Sequence, residues 1–198
     1  MREYGGMGHA MREPSPAQSL APSLLLSMPQ LLDPNFHQSV ILLCEHDDAG
    51  SFGLVLNRRS EMSASDVVRL TPPVAGSSAL ELWVGGPVEP ERGWILTGVE
   101  PTRVDSVCVC DGIYMSTSVD LLRRYLGEPS PPRTRLLAGY AGWGAGQLDA
   151  EFEASVWLTA EVDLDIVFDT GSGEMWETAI RRLGADPALL QMGGGSVH

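Results

Sequence analysis

The chain has 198 residues, 43% of them hydrophobic, which is enough for one well-filled core and short for two. Its formal net charge of −13 sets a surface field that repels nucleic-acid backbones and anionic membranes. The 13 basic residues are all arginine, so a phosphate-loop lysine, Schiff-base chemistry and a lysine general base are excluded.

Residues 1–19, "MREYGGMGHAMREPSPAQS", lack periodicity and are rich in Gly, Pro, Ser and charge. They read as a disordered tail, or as an over-extended start with Met7 or Met11 as the initiator. Pro22 and Pro29 interrupt "SLAPSLLLSMPQLL", so no secretory signal is read there. No stretch approaches the roughly 18 apolar residues of a membrane span. Three cysteines are too few and odd in number for a disulfide framework, and the expected compartment is a reducing cytoplasm.

Asp33 is placed to cap a short helical turn that begins at Pro34. "SVILLCE" (39–45) and "SFGLVLN" (51–57) read as apolar strands joined by the polar turn "HDDAG". A second hairpin is expected in "VCVCDGIYMS", where Asp111-Gly112 separates alternating β-formers. Ser118 is expected to cap a helix that runs through Leu126 and stops at Gly127. In "EVDLDIVFD" the alternation predicts a strand, with Val162, Leu164, Ile166 and Phe168 on one side and Asp163, Asp165 and Asp169 on the other. "EMWETAIRRL" places Trp176, Ala179, Ile180 and Leu183 on one helical face, ended by Gly184. Hairpins and helices interspersed in this way predict an α+β domain over residues 20–192 with a mixed, largely antiparallel sheet, and a flexible tail over 193–198.

"GYAGWGAGQLDAEF" (139–152) puts four glycines and a tryptophan into eight positions and then turns helical. The spacing matches neither a dinucleotide fingerprint nor a phosphate-binding lysine loop. Two readings remain: close backbone packing with Tyr140 and Trp143 beside it, or an anion-binding loop of Gly139, Gly142, Trp143, Gly144, Gly146 and Gln147 before a helix N-terminus. Packing is the favoured one. "CEHDD" puts Cys44 and His46 on one face of an extended strand, where a redox-responsive thiol is the functional alternative to a small buried hydrophobe. Cys108 and Cys110 read as two core thiols, too far apart along a strand to bridge. The acidic stripe Asp163, Asp165, Asp169 reads as a solvated face, because carboxylates spaced along one strand do not converge on a cation. No serine-hydrolase elbow or zinc-protease motif is present, and His37 and His46 are the plausible imidazole bases. No catalytic residue, metal site or cofactor is expected.

Five ordered stretches carry a resemblance: "SMPQLLDPNFHQSVILLCEHDDAGSFGLVLN", "LWVGGPVEPERGWIL", "YMSTSVDLLRRYL", "GYAGWGAGQLDAEFEASVWL" and "DIVFDTGSGEMWETAIRRLGADPALL". From about Leu24 to Leu190 the chain resembles the bacterial AlgH/YqgE family. The resemblance implies a single compact α+β domain with a mixed, bifurcated sheet, part of it barrel-like, surrounded by helices. It also implies a cytosolic protein that carries the family label of transcriptional regulator. The family-like positions are Asp33, Pro34, Cys44, Glu45, His46, Gly53, Asn57, Gly85, Gly86, Pro87, Arg92 and Gly93, then Gly139 through Gln147. "NRRS" and the closing "GGGSVH" depart from the family pattern, as does the cysteine pair. The expectation is a non-enzymatic regulatory or interaction module, monomeric or weakly oligomeric, whose partner is a protein or a small ligand. Direct DNA contact is set aside on charge and on the lack of a helix-turn-helix. The alternatives are a thiol sensor at Cys44 and a small-anion or nucleotide binder at the glycine stretch.

Overall fold

Two apolar runs meet as the sequence predicts: β2 (Val40–Asp47) and β3 (Gly50–Val55) pair antiparallel and close at Asp47 opposite Gly50. This computed structural model describes residues 19–74 and 80–193. Of the expected tails at 1–19 and 193–198, residues 1–18 and 194–198 lie outside the described residues, whereas Gly193 ends the last helix. The other strands are β1 (Ser23–Ser27), β4 (Arg59–Ser63), β5 (Glu81–Val84), β6 (Val88–Thr97), β7 (Val107–Cys110), β8 (Ile113–Ser116), β9 (Thr134–Gly144) and β10 (Trp157–Ala160). The helices are α1 (Ala64–Val67), α2 (Val119–Gly127), α3 (Gln147–Glu153), α4 (Met175–Arg182) and α5 (Pro187–Gly193).

The strands run in the order β10-β1-β2-β3-β9-β6-β8-β7, and β4–β5 join β9 as a branch. Every pairing is antiparallel except β5 with β9. The α+β class and the curled, bifurcated sheet are therefore as expected. Because β1 is apolar at Leu24, Leu25 and Leu26 and its five residues are all buried, the sheet there is covered on both faces. Leu24, Leu26, Leu42 and Leu54 face α4, while Leu25, Ile41, Leu43 and Val55 pack with Leu148 of α3 and with Trp143 and Trp157. A third cluster buries Leu121, Tyr125 and Leu126 of α2 against Leu82, Ile95 and Leu136. Each such leucine contributes about 2 kcal/mol of transfer free energy.

The branch explains where three of the glycines go. Along one edge of β9 runs β6; along the other, β5 occupies Leu136–Ala138 and β3 takes over at Ala141. Gly85 sits in the fork, accepting from Val55 N–H at 2.8 Å and donating its own N–H to Ala138 at 2.7 Å. A methyl on Gly85 would lie 2.4 Å from Gly139 O, one on Gly86 2.1 Å from the Tyr140 carbonyl carbon, and one on Gly139 2.4 Å from Gly86 O. Gly86 and Gly139 also have φ of +154° and +72°. Three backbones cross here at a separation that admits no side chain.

Several local expectations hold. The Asp33 carboxylate accepts from Asn35 N–H at 2.8 Å and its carbonyl from His37 N–H at 2.7 Å, which fixes the turn at Pro34. Gly112 takes φ +75° in the β7–β8 turn, Ser118 Oγ accepts from Leu121 N–H at 3.3 Å, and Gly184 ends α4 at φ +78°. Gly127 differs: it is the last residue of α2, and the chain leaves in extended conformation at Glu128, φ −129°.

Two stretches overturn the periodicity. "EVDLDIVFD" is not a strand; Asp165–Asp169 form a π-helical turn. Asp163 caps it, accepting from Asp165 N–H at 2.9 Å and Ile166 N–H at 3.2 Å. Adjacent residues Ile166 and Val167 are both buried, which alternation forbids and a helical turn permits. The glycine stretch is not a loop either, because β9 continues through Gly144 before the corner into α3. Among the described residues, no helix is long and apolar enough to cross a membrane.

Candidate functional site

The corner after β9 is held from inside. Trp143 Nε1 donates to Glu151 Oε2 at 2.9 Å, and Trp157 Nε1 donates to the same oxygen at 2.6 Å. Gln147 donates its amide to Glu151 Oε1 at 2.9 Å and accepts Gly144 N–H at 3.1 Å. Gly146 starts α3 at φ +69°. Gly142 lies under the Tyr140 ring, 3.1 Å from where its methyl would be. Among the described residues Gly144 and Gly146 are open: the nearest atom to a methyl on Gly144 is 4.0 Å away, and nothing lies within 4 Å at Gly146. Gly139 and Gly142 thus have packing partners, and Trp143 and Gln147 bind a carboxylate of the protein itself.

A bulge at Cys44, between Leu43 and Glu45, breaks the alternation of β2. Cys44 packs against the α4-side cluster and Glu45 is exposed. His46 Nδ1 lies 2.8 Å from Ser51 Oγ, and Nε2 lies 3.7 Å from Asp149 Oδ1 on α3. Cys44 and His46 therefore do not act as a pair. Burial pushes the Cys44 thiol far above its ordinary range, with the Glu45 charge and Cys110 adding to the rise. It is an uncharged thiol at neutral pH, poorly nucleophilic. Of the supposed core thiols, Cys108 is exposed and Cys110 half-buried. Among the described residues, no three His, Cys, Asp or Glu side chains converge to hold a metal.

Two carboxylates of the acidic stripe converge, on an arginine rather than a metal ion, and the third meets a second arginine. Arg133 pairs with Asp165 at 2.8 Å and with Asp169, and Arg182 pairs with Asp163. The π-turn, not a strand, brings these carboxylates together. Arg135, 5% exposed, donates to Leu56 O at 2.9 Å and Phe168 O at 3.1 Å and stacks 4.0 Å over Trp83. Burial pulls its guanidinium down to about 10, which leaves it charged at neutral pH. Arg92 is exposed, stacked 4.6 Å over Trp94 and bonded to Glu89 at 3.1 Å; Pro87 is exposed and Gly53 buried beside Ile41.

Asn57 closes the far end of the β2–β3 hairpin. Its Oδ1 accepts Val40 N–H at 3.0 Å and its amide donates to Gln38 O at 2.8 Å. Beyond it lies a cavity of about 430 Å³ lined by His37, Gln38, Asn57, Arg58, Arg59, Ser172, Gly173, Trp176 and Glu177. Arg58 donates to His37 O and, among the described residues, has no carboxylate partner. Desolvation lowers its guanidinium from the ordinary value, the mark of a cation without a counter-charge. Arg59 pairs with Glu81 at 2.6 Å, and Glu177 with Arg181 at 2.6 Å. The first turn of α4 borders the cavity and, among the described residues, has no side-chain cap. Arg58–Arg59 and His37 are visible in the sequence, but their meeting with residues 172–177 is a product of the fold.

A family model described as AlgH-like matches residues 24–188. A UPF0301 protein of Myxococcus xanthus is 41% identical over 180 residues, covering 90% of this chain and 98% of the relative. One from Ruegeria pomeroyi is 38% identical over 180 residues, covering 89% and 98%. Among solved structures, the AlgH protein from Pseudomonas aeruginosa, determined in solution, aligns with a TM-score of 0.73 at 34% identity over 95% of this chain and all, 100%, of the other. A crystal structure from Corynebacterium diphtheriae aligns with a TM-score of 0.64 at 26% identity, covering 93% and 94%.

Proposed function

We propose, from the premise that the chain belongs to the AlgH-like family, that it is a regulatory interaction module which responds to a small anion. The observation that carries this is Arg58, a half-buried guanidinium on the wall of a cavity of about 430 Å³ that, among the described residues, pairs with no carboxylate, the Glu177 that also lines the cavity being paired with Arg181. A charge held this way is destabilising until an anion joins it. Ser172 and the uncapped start of α4 supply further donors, and Asn57 holds the arginine's segment against the turn at Pro34. The ligand class is a phosphate- or carboxylate-bearing small molecule. Burial of Cys44 counts against the thiol alternative, and the −13 charge against direct DNA contact.

The test is thermal stability in inorganic phosphate, citrate and nucleoside phosphates at constant ionic strength, in the wild type and in Arg58→Gln. An anion at about 100 times its Kd stabilises by about 2.7 kcal/mol. The expected result is a saturable shift lost in Arg58→Gln. A shift of equal size in both proteins, or none with any anion, defeats the proposal.

A further inference from the structure

Two charges of opposite sign share the wall of the Arg58 cavity. Beside the guanidinium, Glu177 is the single carboxylate among the described lining residues. Its partner is Arg181, one turn along α4, bonded at 2.6 Å through Oε2; Oε1 has no bond among the described residues. Both members of that pair are open to water, Arg181 at 61% and Glu177 at 46% side-chain exposure. An ion pair so exposed adds little to stability, so Glu177 leaves or shares it at small cost. Arg59, the other arginine on the wall, is tied to Glu81 at 2.6 Å. Trp176 gives its N–H to Ser27 O at 2.9 Å and presents only carbon to the cavity.

We propose that the ligand of this cavity is a small zwitterion, its carboxylate or phosphate held by Arg58 and its ammonium group by Glu177 Oε1. The inference rests on the anion reading above and narrows it. A plain anion that reaches Arg58 also meets the charge of Glu177, which disfavours it. An ammonium group on the same molecule turns that repulsion into attraction. The long-range field points the same way: a chain of net charge −13 repels an anion on approach but not a molecule without net charge. Ser172 adds a hydroxyl on the wall that serves either end of the ligand. At about 430 Å³ the cavity lies within the range of small-molecule sites.

The experiment is calorimetric titration of the full chain with matched probes: L-leucine against isocaproate, L-glutamate against glutarate, and O-phosphoethanolamine against ethyl phosphate. The expected result is an amine-bearing probe that binds at least about tenfold tighter than its amine-free partner, the worth of one charge-assisted hydrogen bond. Comparison of the phosphate pair with the two carboxylate pairs tells which anion Arg58 takes. Arg58→Gln abolishes binding of both members of a pair. Glu177→Gln removes the preference, weakening the zwitterion and strengthening the plain anion. Arg181→Gln frees the carboxylate and tightens the zwitterion but not the plain anion, which a merely structural Glu177 would not do. Melting temperatures of the variants separate these effects from unfolding. Equal affinity within every pair, or a preference unchanged in Glu177→Gln, overturns the zwitterion and leaves the anion site standing. So does binding of phosphate or citrate when no amine-bearing probe binds. Failure of every probe and every anion removes both readings.

Discussion

Glu151 is the residue on which the corner after β9 depends, and replacing it gives a sharp thermodynamic test. Its carboxylate accepts two indole N–H groups and one amide, at 2.9, 2.6 and 2.9 Å. Both indoles are largely buried, Trp143 at 7% and Trp157 at 4% exposure, so Glu151→Ala leaves two donors with little access to water. An unsatisfied buried donor costs about 1–3 kcal/mol. Water reaching the Gln147 side of the site offsets part of this, and about 3 kcal/mol is the expected total. In a domain of this size that lowers Tm by about 6–12 °C. Glu151→Gln can keep one oxygen for both indoles but turns its NH₂ toward the Gln147 amide, and no more than about half the loss is expected. Calorimetry at two salt concentrations is the assay; the loss should change little with salt, because the bonds are short-range and sheltered. Trp157→Phe should cost less in the Glu151→Ala background than in the wild type, since both disrupt one network. An Ala variant melting within about 1 °C of wild type would refute the account.

Gly139→Ala forces a methyl to 2.4 Å from Gly86 O at φ +72° and is expected to yield little folded protein, whereas Gly144→Ala, with open space around it, should melt within about 1 °C of wild type. Circular dichroism of the two distinguishes a packing glycine from a merely flexible one. With a disulfide-forming thiol reagent, Cys108 should react first and Cys110, whose thiol is raised by burial and by Cys108 and Asp111, more slowly. Cys44 should stay silent until denaturant is added; fast reaction of Cys44 in the folded protein would contradict its burial. Arg135→Met removes the guanidinium that serves two carbonyls and the Trp83 ring, and about 3 kcal/mol of stability should go with it. Arg135→Lys should not recover this, because an ammonium cannot fork to both carbonyls while lying flat on an indole; urea denaturation measures both.

The sequence carries local signals more faithfully than distant ones. Asp33, Ser118, Asp111-Gly112 and Gly184 each act within four residues of themselves, and each does what its chemistry predicts. The apolar runs at 39–45 and 51–57 name their strands because both faces are covered and alternation is not needed. "EVDLDIVFD" misleads because alternation over nine positions is also consistent with one cap and one irregular turn. Its capping residue, Asp163, sits inside the alternating pattern and so carries no separate signal of a helical turn. Glycine 139 could be suspected of packing, yet the partner it packs against, Gly86, lies 53 positions upstream in sequence and meets it only because β5 and β3 share an edge of β9. The Ser51–His46 pair was closer to hand: with Asp47 opposite Gly50, position 46 must face 51. Asp149 could not be foreseen, because its place depends on how Glu151 docks α3.

Charge distribution bears on what kind of anion a cavity such as that at Arg58 can admit. A protein of net charge −13 repels a polyanion over many phosphates at once, and a duplex brings about one charge per 1.7 Å of axis into that field. A small anion meets only the local potential. At physiological salt, charges farther than about 8 Å are largely screened, so the potential in the cavity is set locally, where Arg59 is paired with Glu81 and Glu177 with Arg181 and Arg58 is left as the cation without a carboxylate among the described residues. The surrounding acids then act as a filter on size rather than a barrier to binding. Raising ionic strength should weaken a small anion's affinity only modestly, with the slope of one or two neutralised charges, whereas nucleic-acid binding would fall steeply and linearly on a log–log scale. A ligand titration of wild type and Arg58→Gln across salt concentrations therefore separates a metabolite-sized effector from a nucleic-acid partner. A steep slope would return the transcriptional reading to direct DNA contact, despite the charge.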